Sequence, residues 1–388
     1  MKRKTLLCSI FLVSTLLFLN AVSSILGSQS SKSILSFGTV RHSELETPPQ
    51  AEFLSGFRTG VNLWYIFNSD HEGYDTWLPA RQAGIVKWGL WHRPTEIHAD
   101  GSCSGSWSDS EISSKLTLCF NQGIVPLIQF SRITNFEDLT ESTMTNFFTK
   151  WSNWLDANYP DRFFIWSPAC EFNFPDGMAG WGGPYKNGRG SSDGVTRKLD
   201  YRIFNPQMQM IRKARDDLGL QNKIPIAIHA NLLKSYKVDA ENRWIAQNWL
   251  TGLYGIEKYI PGFAQGDIFG VSHYYGYKDA DDNSGDLTWQ ETLQRSWART
   301  KIVWEKVCQE ARETLPFLFI EYSMGSVWRK DKDPIWKEAV TYSYAQMLPD
   351  NTWVKGFNWY ISKFIEDDAM DELWDQATAF DGYGAEGI

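Results

Sequence analysis

Two apolar segments of this sequence each end in a glutamate. Residues 162–175 read RFFIWSPACEFNFP, and residues 317–326 read FLFIEYSMGS. The apolar part of each segment predicts a buried strand that delivers Glu171 or Glu321 at its carboxyl end. Glutamate is rarely buried without a partner, so such a carboxylate either pairs with a cation as part of the structure or is held for chemistry. Because the same design occurs twice, we interpret the two glutamates as a pair.

Strands and helices alternate along the rest of the chain. Asp109 as an N-cap predicts a helix through Phe120, and helical spacing of apolar residues predicts helices over 139–158 and from about Asp200 onwards. The eight predicted strands span residues 56–62, 84–90, 124–130, 163–166, 224–229, 268–274, 317–321 and 354–359. The predicted fold class is therefore α/β, as a single (β/α)8 TIM barrel with long loops at its carboxyl-terminal face. The longest of these loops, residues 174–198, is predicted to form a wall of the cleft.

The amino-terminal residues predict export. Lys2, Arg3 and Lys4 precede an apolar run from Leu6 to Leu19, which is typical of a secretory signal peptide. We assign residues 1–24 to the signal, 25–50 to a flexible Ser-rich spacer and 51–388 to the catalytic barrel. The expected location is secreted or extracellular, with no stable membrane span after cleavage. Retention of the run as a cell-surface anchor is the alternative.

Composition indicates which partner the chain binds. The net charge is −8, and basic clusters are absent beyond the signal, which argues against nucleic acid. The chain has 19 Trp, 16 Tyr and 23 Phe, many of them beside Gly, Asn or Asp. Flat aromatic faces stack on sugar rings, so this excess favours a carbohydrate cleft, although about half should be ordinary core residues. We expect a monomer that binds a polysaccharide or oligosaccharide.

Four cysteines follow the signal, namely Cys103, Cys119, Cys170 and Cys308. Export favours oxidation, so we predict a Cys103–Cys119 disulfide, whose loop closure would contribute about 3 kcal/mol. Neither a CxxC nor an HExxH pattern occurs. No metal and no cofactor are therefore expected.

Two carboxylates in an aromatic cleft indicate glycoside hydrolysis. One carboxylic acid protonates the leaving oxygen while the other carboxylate attacks the anomeric carbon, and a separation of about 5 to 5.5 Å selects retention. Strands four and seven face each other across a barrel of eight strands, which makes this separation feasible. The predicted catalytic residues are Glu171 and Glu321. The predicted substrate-binding residues are Asn62, Trp91, His92, Asn173, Trp181, His229, His273, Tyr275 and Trp359.

Short motifs at these strand ends resemble glycoside hydrolase clan A over nearly all of residues 51–388. The GVN at 60–62 and the H-x-Y at 273–275 are similar to family 5 cellulases and mannanases. The E-x-N at 171–173, followed by GMAGWGG, is similar to family 26 β-mannanases. The resemblance implies that Glu171 is the acid/base, Glu321 the nucleophile, Tyr275 the hydroxyl that orients Glu321, and Trp359 the platform beneath the sugar.

The sequence departs from the clan at Cys170. The clan places Asn, or His in family 26, directly before the acid/base, and a thiol is a poor hydrogen-bond partner for a sugar hydroxyl. We predict a secreted retaining glycoside hydrolase that cleaves a β-linked polysaccharide, mannan or glucan, by endo action. A catalytically inactive carbohydrate-binding TIM barrel is the alternative. A metal-dependent barrel hydrolase using His92, His229 and His273 is the weaker one, because its H-x-H on the first strand is missing.

Overall fold

The structure, a computed structural model, describes residues 58–62, 85–89, 95–130, 133–172, 201–232, 236–238, 244–246, 256–275, 288–324 and 342–360. All of them belong to the unit Leu45–Ile388. The predicted signal peptide, the spacer and the 174–198 loop lie outside these residues and stay predictions. Within the described residues, the helices are too short or too polar to cross a membrane.

Twelve strands occur in the described part of the chain. They are β1 (Arg58–Asn62), β2 (Ile85–Gly89), β3 (Thr95–Ile97), β4 (Cys103–Gly105), β5 (Val125–Gln129), β6 (Ile165–Ser167), β7 (Ala227–Asn231), β8 (Tyr236–Val238), β9 (Trp244–Ala246), β10 (Ile268–Tyr275), β11 (Phe317–Met324) and β12 (Val354–Tyr360). Strands β3 and β4 pair as one small antiparallel sheet, and β8 and β9 pair as another.

The other eight strands form one parallel sheet, in the order β6-β5-β2-β1-β12-β11-β10-β7. They coincide with the eight predicted strands, whose ends differ from the observed ones by three residues or fewer. The two end strands of this order also approach each other. Parallel bridges join Trp166 to Ile226 and Cys170 to His229, and the Trp166 amide donates to the Pro225 carbonyl at 2.9 Å. This establishes an α/β fold.

Five α-helices accompany these strands in the described residues. They are α1 (Asp109–Phe120), α2 (Glu141–Asn158), α3 (Tyr201–Asp216), α4 (Ile260–Phe263) and α5 (Trp289–Ala311). Helix α1 is capped by Ser108, whose hydroxyl accepts from the Glu111 amide, and not by Asp109 as its position suggested. Helix α5 begins with a capping box between Thr288 and Glu291. The three predicted helices are confirmed as α1, α2 and α3.

The two faces of the parallel sheet carry different cores. One large cluster of buried residues includes members of every long helix, so it lies between the sheet and the helices. A smaller cluster contains only residues of the strands or directly before them: Ile85, Val125, Leu127, Phe163, Ile165, Ala227, Ile268, Leu318 and Ile320. We call the face with the smaller cluster the inner face and the other the outer face. Because side chains alternate along a strand, neighbours such as Leu127 and Ile128 fall on opposite faces.

The predicted Cys103–Cys119 disulfide is wrong. Both thiols are free and buried. The Cys103 amide donates to Asp109 at the start of α1, whereas Cys119 is near its end and accepts from the Trp88 indole at 3.1 Å. Ten helical residues rise about 15 Å, and a disulfide needs α-carbons within about 7 Å. Burial raises the pKa of both thiols, that of Cys119 to about 12.

Candidate active site

Strand β7 supplies two polar side chains to the inner face. Ala227 belongs to the inner cluster, and His229 and Asn231 follow at spacings of two residues, so they share its face. Both are buried, at 0 % and 2 % exposure. Buried polar groups need hydrogen-bond partners. The partners of these two side chains lead to the two predicted catalytic glutamates.

Asn231 holds Glu171. Its Nδ2 donates to Glu171 Oε1 at 2.9 Å, and the Glu171 amide donates to the His229 carbonyl at 2.9 Å. Glu171 has a φ of 45°, in the left-handed region that non-glycine residues rarely adopt. Such a conformation costs about 1 to 2 kcal/mol and persists where the surroundings over-determine it, as at functional sites.

Phe172 fixes the chain immediately after Glu171. Its ring stacks on Phe204 with centroids 3.7 Å apart and also contacts Tyr259 and Phe263 on the helix side. Glu171 therefore lies between a backbone bridge to β7 and an aromatic anchor in the outer core. These two attachments account for its unusual backbone conformation.

Strand β11 carries an irregularity beside Glu321. Phe317 and Phe319 belong to the outer core, and Leu318 and Ile320 to the inner cluster. Strict alternation would put Glu321 on the outer face. However, the register with β12 shifts between Phe319 and Tyr322. Such a β-bulge re-aims a side chain, and here it brings the Glu321 carboxylate to the inner face, where it is 4 % exposed.

A chain of hydrogen bonds joins β5, β7, β10 and β11 on the inner face. Ser272 Oγ donates to Glu321 Oε2 at 3.2 Å and lies 2.8 Å from His229 Nε2, and Gln129 Nε2 lies 2.8 Å from His229 Nδ1. Since the serine hydroxyl has one proton and gives it to the carboxylate, His229 must donate from Nε2 and accept at Nδ1. The direction of every bond in the chain is thereby set, and it ends on Glu321.

Cys170 joins the same group. Its Sγ, a ring nitrogen of His229 and a carboxylate oxygen of Glu321 all lie within 4.8 Å of one another. Cys170 is 2 % exposed, and its backbone forms the bridge to His229. The position where the sequence departs from the clan pattern therefore directly borders the predicted nucleophile.

The structure contradicts the assignment of His273 to the substrate cleft. Its Nε2 lies 2.8 Å from Ser296 Oγ on α5, and its ring packs against Phe319 and Tyr322 on the outer face. Burial lowers the His273 pKa to about 4. The physical reason for the error is the alternation of side chains along β10. Ile268 and Ser272 point to the inner face, so His273, the next residue, points to the outer face. The metal-hydrolase alternative fails with it, because His229 and His273 lie on opposite faces.

The remaining predicted residues are only partly described. Trp91, His92, Asn173 and Trp181 lie outside the described residues. Asn62, Tyr275 and Trp359 are placed by their backbones alone, at the ends of β1, β10 and β12. The Gly60 of the GVN motif has a structural reason, because a Cβ there would come within 2.1 Å of Asn358 Oδ1.

Among the predicted residues, the structure thus brings together Glu171, Glu321 and His229. It adds Ser272, Gln129 and Cys170, which the sequence analysis did not assign to the site, and Asn231, which follows the fifth predicted strand. Period-two spacing on β7 was the available signal for Asn231, and the same spacing from Ile268 was the signal for Ser272.

No protein-family model and no curated protein matches the sequence. The fold does resemble solved structures. A trimodular GH5_4 endoglucanase is 9 % identical with a TM-score of 0.51, covering 85 % of this chain and 61 % of its own. The catalytic domain of a GH26 endo-β-1,4-mannanase from Bacillus sp. JAMB-750 is 14 % identical with a TM-score of 0.49, and the match covers 86 % of this chain and 89 % of that domain. A family 5 xyloglucanase from Paenibacillus pabuli is 11 % identical with a TM-score of 0.49, and the match covers 84 % of this chain and 99 % of the xyloglucanase. The resemblance to clan A glycoside hydrolases is confirmed at the level of the fold.

Proposed function

We propose that this chain is a retaining glycoside hydrolase that cleaves a β-linked polysaccharide, mannan or glucan, by endo action. One observation carries the proposal. Glu171 and Glu321 are two buried carboxylates tied to one strand, β7, through different donors, Asn231 and the His229–Ser272 pair. Two carboxylates in different environments are what general acid catalysis and nucleophilic attack require of one site.

The proposal includes closure of the parallel sheet into a (β/α)8 barrel. The bridges between the β6 and β7 segments support it, since these are the two end strands of the sheet order. The inner cluster, which contains no helix residue, is typical of the filled interior of such a barrel. In a closed barrel, Glu171 and Glu321 follow the fourth and seventh strands and face one cleft.

In the first step, a Glu321 oxygen attacks the anomeric carbon and forms a glycosyl ester. The bond from that carbon to the glycosidic oxygen breaks, and the protonated Glu171 gives its proton to the leaving oxygen. The Ser272 hydroxyl stabilises the ionised Glu321, because a donor favours the charged form of a carboxylate. The Asn231 amide donates to Glu171 Oε1, which favours Oε2 as the carrier of the acidic proton.

In the second step, water attacks the same carbon from the face that the leaving group vacated. Glu171, now ionised, accepts a proton from this water, and the ester bond to Glu321 breaks. Two inversions leave the anomeric configuration unchanged. Trp359, at the end of β12, is proposed as the platform beneath the sugar.

The test is chemical rescue of two variants. Glu321→Ala should lose turnover on polysaccharide, and azide should restore activity with a product of inverted configuration. Glu171→Ala should retain activity on aryl glycosides whose leaving groups need no proton, and azide should give a product of retained configuration. Glu96→Ala, which removes a half-exposed glutamate on β3, serves as the control and should behave like the parent.

If azide rescues neither variant while both remain folded by circular dichroism, the assignment of roles is wrong. If the parent releases no reducing sugar from mannan, mixed-linkage glucan, cellulose or xylan, the hydrolase proposal itself fails. The outcome would then favour the alternative, an inactive sugar-binding barrel. Cys170, a thiol within 4.8 Å of a Glu321 oxygen, is the observation in favour of that alternative.

A further inference from the structure

We infer that Cys170, His229 and Glu321 form a site for a soft or borderline divalent cation such as Zn²⁺ or Cd²⁺, and that its occupation blocks catalysis. Binding itself depends only on the geometry of the three side chains. The blocking effect rests on the proposed function, in which Glu321 is the nucleophile. The cation would act as an inhibitor of the site and not as a cofactor of the reaction.

The three donors match such cations in chemical type. Thiolate, imidazole and carboxylate are the ligands that zinc and cadmium take from proteins, and thiolate in particular favours soft metals. The donor atoms lie within 4.8 Å of one another. Tetrahedral bonds of about 2.0 to 2.3 Å require donor separations of about 3.3 to 3.8 Å. A closure of about 1 Å, within the reach of side-chain rotation, therefore completes three sides of a tetrahedron, and water can supply the fourth ligand.

The fold keeps these donors adjacent through the backbone. Cys170 and His229 are partners in a parallel bridge, and the β11 bulge turns Glu321 towards them. Their exposure is 2 %, 0 % and 4 %, respectively. A cation at this point would bind the Glu321 carboxylate, whose negative charge the Ser272 hydroxyl now stabilises. A bond from His229 to the metal would replace the hydrogen bond between His229 and Ser272. On binding, the Cys170 thiol releases its proton to solvent, and the His229 proton moves from Nε2 to Nδ1, where a rotation of the Gln129 amide presents Oε1 as its acceptor. No group is oxidised or reduced.

The other cysteines in the described residues provide a contrast. Cys119 accepts a hydrogen bond from the Trp88 indole, and Cys308 accepts one from the Leu315 amide at 3.4 Å. Among the described residues, the Cys170 group is the one set of three or more His, Cys, Asp and Glu side chains close enough to share a cation. Cys308, half-buried on α5, is thus a suitable control.

The experiment measures binding without substrate. Co²⁺ is titrated into the full chain under reducing conditions, and the thiolate-to-cobalt absorption in the near ultraviolet reports a bond to sulfur. Cd²⁺ binding is measured in parallel by calorimetry. We expect one ion per chain in the parent and in Cys308→Ser, and at least tenfold weaker binding in Cys170→Ser. Glu321→Gln should also bind at least tenfold more weakly, and it covers the case in which Cys170→Ser fails to fold.

The inference is overturned if the parent shows no sulfur-to-cobalt absorption, or if Cys170→Ser or Glu321→Gln binds as tightly as the parent. Inhibition is tested separately, on reducing-sugar release with and without Cd²⁺. A parent that hydrolyses polysaccharide but binds no ion refutes the metal site alone. A parent that binds the ion but has no hydrolase activity refutes the proposed function alone.

Discussion

Strand β10 carries a serine–histidine pair on each of its faces, and only one of the pairs ends on a carboxylate. On the inner face, Ser272 Oγ lies 2.8 Å from His229 Nε2. On the outer face, His273 Nε2 lies at the same distance, 2.8 Å, from Ser296 Oγ. Both histidines are buried. Distance and burial therefore do not distinguish a site from a core.

What distinguishes the two pairs is what lies beyond them. The inner serine donates to Glu321, and the inner histidine contacts the Gln129 amide. Hydrogen-bonded side chains therefore connect the neighbouring strands β7, β10 and β11 and also reach β5. The outer histidine is surrounded by the rings of Phe319 and Tyr322. The inner pair therefore has a charge to orient, while the outer pair attaches α5 to the sheet.

The two pairs should differ most in the loss of kcat that follows when the serine of each pair is replaced by alanine. Ser272→Ala deletes a donor to Glu321, the proposed nucleophile, and the loss of one such preorganised donor typically lowers kcat about a hundredfold, roughly 2.7 kcal/mol. Because Ser272 positions Glu321, KM should change little, and the acidic limb of the pH–rate profile should move to higher pH. Ser296→Ala, the matched variant on the outer face, should keep kcat within twofold. Equal losses in kcat for the two variants would erase the functional difference between the faces.

The second difference concerns pH. Burial lowers the His273 pKa from about 6.5 to about 4, so below pH 6.5 the unfolded chain binds a proton that the folded chain excludes until about pH 4. Stability therefore falls as the pH falls through this window, by about 2 kcal/mol between pH 7 and pH 5. His273→Gln should remove this part of the pH dependence in urea unfolding series at the two pH values. The partly exposed His98 provides the control, because His98→Gln should leave the pH dependence in place. A loss of the pH dependence in His98→Gln would contradict the prediction.

The sequence predicted the sheet well and the phase of its strands less well. Apolar runs that end in Glu171 and Glu321 located both carboxylates, because long buried strands leave a strong periodic pattern. The β11 bulge leaves no such pattern in the sequence, so the path by which Glu321 reaches the inner face is visible only in the structure. The H-x-Y motif led to the wrong face for His273, since a motif match gives no information about the face of the sheet on which a side chain lies.

The disulfide error had a different origin. The sequence does not reveal where the segment before the 109–120 helix lies, and in the structure the Cys103 amide bonds to Asp109 at the start of that helix, ten residues before Cys119. Ser272 and Gln129 were missed because polar residues within strands are common, and their role depends on partners that are distant in the sequence.

The third prediction concerns the tyrosine that is proposed to orient Glu321. The clan resemblance assigned this role to Tyr275, which is two residues after the outward-facing His273. We propose Tyr274 instead, because it follows Ser272 by two residues in the sequence, and residues with that spacing share a face of a regular strand. Tyr274→Phe should lower kcat about tenfold, roughly 1.4 kcal/mol, and Tyr275→Phe should lower it less. Steady-state kinetics on one soluble polysaccharide decides between them, and a larger loss for Tyr275→Phe would restore the original assignment.

The smallest expected effect is on stability and tests whether the inner face is shaped for activity at the expense of folding. Glu171 and Arg312 are the two non-glycine residues with positive φ in the described chain, at 45° and 60°. Asn tolerates this conformation better than either, so Arg312→Asn, at the exposed end of α5, should raise the free energy of unfolding by a few tenths of a kcal/mol. Glu171→Asn should raise it more, by about 1 kcal/mol, because it also removes a buried carboxylate, and it should abolish turnover. Urea unfolding measures both. A Glu171→Asn variant that is less stable than the parent would mean that the carboxylate is held for structure, and that the inner and outer faces of the sheet differ less than their hydrogen bonds indicate.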